Sequence, residues 1–516
     1  MADAFSITQH YHQRTKYDPQ TLAQRGRPLD FSQQPIPYKD YKFGTPIPLK
    51  DYLEQENQTD PVLVRWQKLS RLLYCSYGIT AVIPYPHQPL YLRTAPSAGG
   101  LYPAELYVIA RGGTFLPAGL YNYQVRTHSL IHFWDSHVWS ALEAACLWHP
   151  ALAKTQLALV VSVVFQRSAW RYEDRAYRRI CLDTGHLLGN IELAASMCDF
   201  KAHLIGGFMD HQCNQLLYLE PGQEGVMAMV ALADLLDVEQ NLPPTPTLLP
   251  SPTIEEYPFL ADGALLLYTH EATSIQTEDI TYNNEFPSLL KVDKYNFPFC
   301  LKVPLANTPI PWGENLIHLK ETILRRRSTR QFTGAPLSLM DLSYLLGFTY
   351  CPQQYREQGL EGDPDFFDLD LIQTFIAVLD VTELETGCYY YAVQAQELRQ
   401  IRFKNFRREV HYLCLSQELG RDAAVILFHT ADLQQAIARY GDRAYRYLHM
   451  DAGHLGQRLN LAAIHLNLGV SGIGGFFDDQ VNEVLGIPAE EAVLYITTLG
   501  QPPQRSATTA NTAMQQ

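Results

Sequence analysis

The amino-acid sequence predicts an α+β chain in which two tandem copies of one domain pack as an intramolecular pseudo-dimer. The chain has 516 residues, long for one hydrophobic core and sufficient for two domains and a linker. RYEDRAYRRICLDTGHLLGNIELAASMCDFKAHLIGGFMDHQCN at 171–214 is matched by RYGDRAYRYLHMDAGHLGQRLNLAAIHLNLGVSGIGGFFDDQVN at 439–482, with about half the positions identical at a constant offset of 268 (171 to 439). Between the copies lies NLPPTPTLLPSP at 241–252, where dense proline removes backbone donors and favours an extended spacer.

The elements follow in chain order. Residues 1–60, with prolines at 35, 37, 46 and 48, read as an extended arm wrapping the body. The first domain spans 61–240. Its LSRLLYCSYG at 69–78 answers LSYLLGFTYC at 342–351, where the offset has grown by five. ELYVIA at 105–110 and LALVVSVVF at 157–165 read as strands, the second being half the length of a membrane span. Gly119, Tyr121 and Tyr123 recur as Gly387, Tyr389 and Tyr391, alternating along a strand as core or sheet-face residues. A linker at 241–256 leads to the second domain, 257–505. There Leu448, Ala452, Leu455, Leu459, Ala462 and Leu466 step by four and three, the spacing of an amphipathic helix, and VLYITTLG at 493–500 returns to strand. The tail, 506–516, is expected to be disordered.

Composition narrows the function. Hydrophobic residues are 47% and charged residues 18%, as in a globular protein. Forty Lys+Arg against 54 Asp+Glu leave a net charge of −14, which argues against nucleic acids and anionic membranes as partners. A small anionic ligand needs only a few local cations. Nine scattered cysteines without a C-x-x-C pair, and no signal peptide at MADAFSITQH, predict a cytoplasmic protein with reduced thiols and no metal site. There is no Walker motif and no strand-linked G-x-G-x-x-G.

Two motifs have no intact counterpart in the other copy. RRSTRQF at 326–332 sets Arg326, Arg327, Ser328 and Arg330 close together, a candidate phosphate clamp; taken alone it reads sooner as a solvated cluster at a helix end. TAPSAGGLYPAELYV at 94–108 gathers Pro96, Ser97, Ala98 and Gly99, small enough for backbone N–H groups to approach a flat ligand; alone it is a tight turn before a strand. At the repeat spacing Pro96–Gly99 fall on Pro364-Asp365-Phe366-Phe367, RRSTRQF falls near LEQENQT at 53–59, and Arg505 falls on Asp237. One copy keeps the loop and the other keeps the cations. A pseudo-symmetric pair with one composite site and one dead site explains that split.

RRSTRQF with GIGGFFDD resembles the FMN-dependent nitroreductase superfamily. RTAPSAGGLYPAELYV, AGLYNY and FQRSAWRYEDRAYR with DTGHLLGN look more narrowly like its SagB/ThcOx-type peptide (azoline) dehydrogenases, in tandem duplicate. The resemblance implies two nitroreductase-like domains with FMN at their interface. Arg326, Arg327, Ser328, Arg330, Gly474, Gly475 and Arg505 would come from the second copy, and Pro96, Ser97, Ala98 and Gly99 from the first. It implies hydride transfer at the flavin on a small-molecule or modified-peptide substrate. The Lys-Tyr pair of azoline-oxidising relatives reads here Arg171-Tyr172, and arginine cannot take a proton. Arg171 is then expected to hold an anionic substrate or to stabilise reduced flavin, with Tyr172 as the nearby proton donor. The alternatives are an NAD(P)H-dependent nitro or quinone reductase and a non-catalytic flavin-binding scaffold subunit.

His186 and His454, Asp183 and Asp451, and the RAYR motif occur in both copies and so read as structural. Asp210 and Asp478 read as helix caps. Because a pseudo-dimer already buries the usual interface, a monomer is expected.

Overall fold

A computed structural model describes residues 5–25, 29–53, 59–85, 89–113, 115–276, 292–306 and 308–503. Two seven-stranded antiparallel sheets form its frame. The first runs, in spatial order, Thr45–Pro48, Ser129–Trp134, Gly119–Gln124, Ala104–Ala110, Leu157–Val164, Glu224–Asp234 and Phe200–Ile205. The second repeats that order with Lys302–Pro304, Glu397–Arg402, Gly387–Ala392, Gln373–Val378, Val425–Asp432, Glu491–Gly500 and Gly469–Ile473. The central strands are buried almost end to end because both faces are covered, and the proline-bearing strands sit at an edge where a missing donor costs least.

Two helices of 22 residues lie between the sheets, α1 (Ala176–Met197) and α2 (Ala444–His465). They pack on each other as the axis of the pseudo-dimer. A Cβ at Gly185 would run into the Met450 carbonyl, and one at Gly453 into the Leu182 carbonyl. These glycines, one repeat apart, let the two backbones touch. Beside these glycines, His186 ties the pair together from within. His186 meets the Tyr495 hydroxyl at 2.9 Å and the Gln457 side-chain oxygen Oε1 at 3.1 Å, and burial holds its ring down to about 3 and neutral. His454 stacks on Phe366 at 4.1 Å.

The RAYR motifs clamp the copies reciprocally. Arg175 and Arg178 donate to the two oxygens of Asp478 at 2.8 and 2.7 Å. Arg443 and Arg446 do the same to Asp210, both at 2.6 Å. Burial alone would raise these carboxyls, and the arginines outweigh it, holding both below the ordinary aspartate value. Asp210 and Asp478 open their helices at the first helical position. Their carboxylates accept from the facing arginines and from the backbone N–H of Ile275 and Tyr17, so they are inter-copy anchors rather than caps.

The N-terminal arm is not extended throughout. Ile7–Thr15 is a helix closed by a capping box of Ser6 and Gln9. Its counterpart is Leu265–Ala272: Arg178 reaches Thr15 Oγ1 and the His12 carbonyl as Arg446 reaches Thr273 Oγ1 and the His270 carbonyl. The arm therefore belongs to the repeat, at a shorter offset of 258 (15 to 273). Residues 241–252 carry no helix or strand, as the prolines predict, yet Thr247, Leu249 and Ser251 are buried. The expected disordered tail lies outside the described residues.

Candidate functional site

The loop at 94–102 and the arginine run come together across the seam between the copies. Arg326 is buried and donates to the carbonyls of Thr94 and Arg93, at 2.5 and 2.9 Å. Burial lowers its guanidinium to about 10, and its Nη1 atom has no hydrogen-bond partner among the described residues. Arg327 turns back onto the carbonyls of Arg326 and Leu324, Ser328 is half-buried and Arg330 is exposed. Thr329 pins the run to the edge strand of the second sheet through a two-way pair with Val470.

Asp183 on α1 builds the loop. It accepts from Ser97 Oγ at 2.6 Å and from the Ala98 N–H, while Ser97 Oγ accepts from the Tyr102 N–H. Burial, only partly offset by these donors, pushes the Asp183 carboxyl up to about 7. Gly99 and Gly100 follow at φ +66° and +68°, a left-handed turn suited to glycine. A Cβ at Gly99 would stand 2.8 Å from the Tyr172 hydroxyl and 3.5 Å from Arg171 Cδ. The candidate pair at 171–172 therefore flanks the small-residue loop.

Gly474 and Gly475 lie on the other side of the seam against Arg179, which donates to the Gly474 carbonyl at 3.1 Å. The N–H groups of both glycines make no hydrogen bond among the described residues. Arg179 also covers the Tyr172 ring at 3.8 Å, and its own buried Nη1 has no partner among the described residues. Arg505 lies outside the described residues. Sequence reasoning missed Arg179 and Tyr495, although both are asymmetric at the repeat spacing, facing Tyr447 and Met227.

The pseudo-symmetric position is filled. Asp451 holds the loop 364–368 through the N–H groups of Phe367 and Asp368, as Asp183 holds 96–99. Phe367, in the place of Gly99, stacks on Tyr447 at 4.8 Å, and Phe366 covers His454. The linker threads the remaining space. The Thr247 carbonyl accepts from both Gly206 and Gly207 N–H, the counterparts of the unpartnered Gly474 and Gly475. The Leu249 carbonyl accepts from Tyr447 and the Ser251 N–H donates to the Tyr440 carbonyl. Where the first position offers donors to a guest, the second has its own backbone in them. The LEQENQT segment, in the place of the arginine run, lies largely outside the described residues. Among the described residues no helix is long and apolar enough to cross a membrane, and all nine cysteines are free thiols.

A model of the nitroreductase family matches residues 64–233 and 323–501. The chain is similar to the crystal structure of a nitroreductase candidate from Anabaena variabilis, at 63% identity over 96% of this chain and 99% of that one, with a TM-score of 0.92. It is also similar to the nitroreductase candidate MJ1384 of Methanocaldococcus jannaschii, 30% identical over 171 residues that make up 33% of this chain and 85% of that protein.

Proposed function

The chain belongs to the nitroreductase family, and from that membership we propose an FMN-dependent oxidoreductase with one cofactor site per chain, at the seam between its two copies. The observation that carries this reading is the set of unsatisfied donors gathered there. Among the described residues, Arg326 Nη1, Arg179 Nη1 and the N–H groups of Gly474 and Gly475 are left without partners around a loop of small residues. Buried donors without acceptors are costly, so such a set suits a guest rich in acceptors. A flavin mononucleotide offers acceptors on its ring edge and on its phosphate.

In this reading Arg326, Arg327, Ser328 and Arg330, with Arg505, provide for the anionic end. Gly474 and Gly475 donate to the ring edge, and Pro96, Ser97, Ala98 and Gly99 form the wall without side-chain bulk. Bound flavin supplies the hydride chemistry; the protein binds it, orients it and places proton-handling groups. Tyr172 sets its hydroxyl against the glycine turn, where it faces the substrate. An arginine, in the place of the lysine of azoline-oxidising relatives, is no proton acceptor, so this chain is better equipped to reduce a substrate than to strip a proton from an azoline ring. Reduction of a nitro or quinone-like compound, with NAD(P)H as electron source, is therefore placed ahead of azoline dehydrogenation in a modified peptide.

Flavin released by heat from the purified chain, counted per polypeptide, tests the site. One FMN is expected. Arg326→Ala, and Gly99→Phe, which imports the side chain of the filled position, are each expected to bring it below about a tenth. Two FMN per chain, or retention in both variants, would refute the site.

A further inference from the structure

The filled position also shows what the open one lacks on its substrate side. In the second copy Arg439 Nη1 and the Tyr440 hydroxyl converge on one carboxylate oxygen, Asp368 Oδ2, at 2.7 and 2.9 Å. Arg171 and Tyr172 are the same residues one repeat earlier, at the end of the same short helix. The guanidinium sits over the adjacent tyrosine ring in both, at 5.6 Å in the first copy and 5.9 Å in the second. The residue in the place of Asp368 is Gly100. Arg171 is exposed and has neither an ion pair nor a hydrogen bond among the described residues. A Cβ at Gly100 would meet only Leu90, so the volume the aspartate fills in one copy stays open in the other.

We propose that Arg171 and Tyr172 form a carboxylate-binding site, and that the substrate of this protein is an organic acid whose carboxylate takes the place that Asp368 takes in the second copy. The proposal deepens the flavin reading and rests on it for the identity of the reacting face. Its chemistry is that of a charge-assisted pair: a guanidinium and a phenol O–H both donate to one carboxylate. Arg179 over the Tyr172 ring adds a second positive charge. The short helix ending at Tyr172 fixes both donors against the glycine turn. An acid bound there lies directly against the Gly99 wall, with its apolar body toward Leu90.

The test uses the full chain loaded with FMN and two probes of equal shape, 4-nitrobenzoate and 4-nitrobenzamide, with binding read by calorimetry. The wild-type chain is expected to prefer the acid by about tenfold. Arg171→Gln is expected to remove that preference, and Tyr172→Phe to reduce it, with FMN content unchanged in both. Gly100→Asp, which supplies an internal carboxylate, is expected to weaken the acid by about tenfold relative to Gly100→Asn, which controls for backbone strain. Equal affinity for acid and amide in the wild type, binding of neither, or a preference that survives Arg171→Gln would overturn the proposal. A chain that takes up no FMN refutes the flavin reading instead, and the acid preference is then read on the flavin-free protein.

Discussion

Asp183 and Asp451 show how one residue type keeps its structural task in both copies while everything around it diverges. Each is buried and accepts backbone N–H groups from its loop, and burial lifts Asp183 to about 7 and Asp451 to about 8. Because the folded value lies above the unfolded one, the native state holds these protons where the unfolded chain has lost them. The stability they contribute is present at about pH 4 and is lost as pH rises through about 7 to 8. Asp451→Asn should therefore flatten the fall in melting temperature between pH 5 and pH 8.5, giving a variant no less stable than wild type at the upper end; an unchanged slope would show that Asp451 titrates normally. At this scale the sequence was informative where the copies differ. The repeat spacing set Gly99 against Phe367 and singled out the arginine run, and the structure brings Arg326 to the loop. The same subtraction would have raised Arg179 and Tyr495, but neither lies in a motif, and their nearness to the seam comes only from the folding of α1 and the last strand.

The two long helices carry the stability of the pair. Their approach depends on Gly185 and Gly453, each lying against a carbonyl of the facing helix. A methyl group there cannot be absorbed by a rotamer change, because the obstacle is backbone. Gly185→Ala is expected to cost about 3 kcal/mol or more, above the usual range for an overpacked core, read as a lowered denaturant midpoint. An unchanged midpoint would mean that the helices slide apart freely. The 3.6-residue spacing made α2 legible, and the apolar runs made the central strands legible. The helix Ile7–Thr15 was not, because its partner lies at a different offset and the two segments share few residues. Its capping box, Ser6 with Gln9, was the available local signal. Proline content pointed to an extended spacer at 241–252, and the segment carries no helix or strand, but no composition records that its backbone lies buried against Gly206, Gly207 and Tyr447.

At the level of the whole molecule, duplication has produced one open position and one closed position from the same plan. The closed one is obstructed twice, by Phe366 and Phe367 and by the linker backbone at Thr247–Ser251. Removing the aromatic obstruction alone should not create a second cofactor site. The double variant Phe366→Ala, Phe367→Gly is expected to hold one FMN per chain, the number proposed for wild type, and a rise toward two would show that the linker yields. The overall plan, two copies around a seam, was legible because a repeat is visible in any single sequence. The plugging was not, since it depends on where the linker runs in space.

The linker has a further consequence, which concerns dilution. A site shared by two separate chains exists only while they stay associated, so its occupancy falls when the protein becomes scarce. Here both halves of the site travel on one polypeptide, and the effective concentration of one for the other is set by the tether rather than by the solution. Turnover per molecule should therefore hold constant down to concentrations at which a two-chain assembly would come apart. A change in either half alters the position left open among the described residues, without a symmetric twin to share the effect.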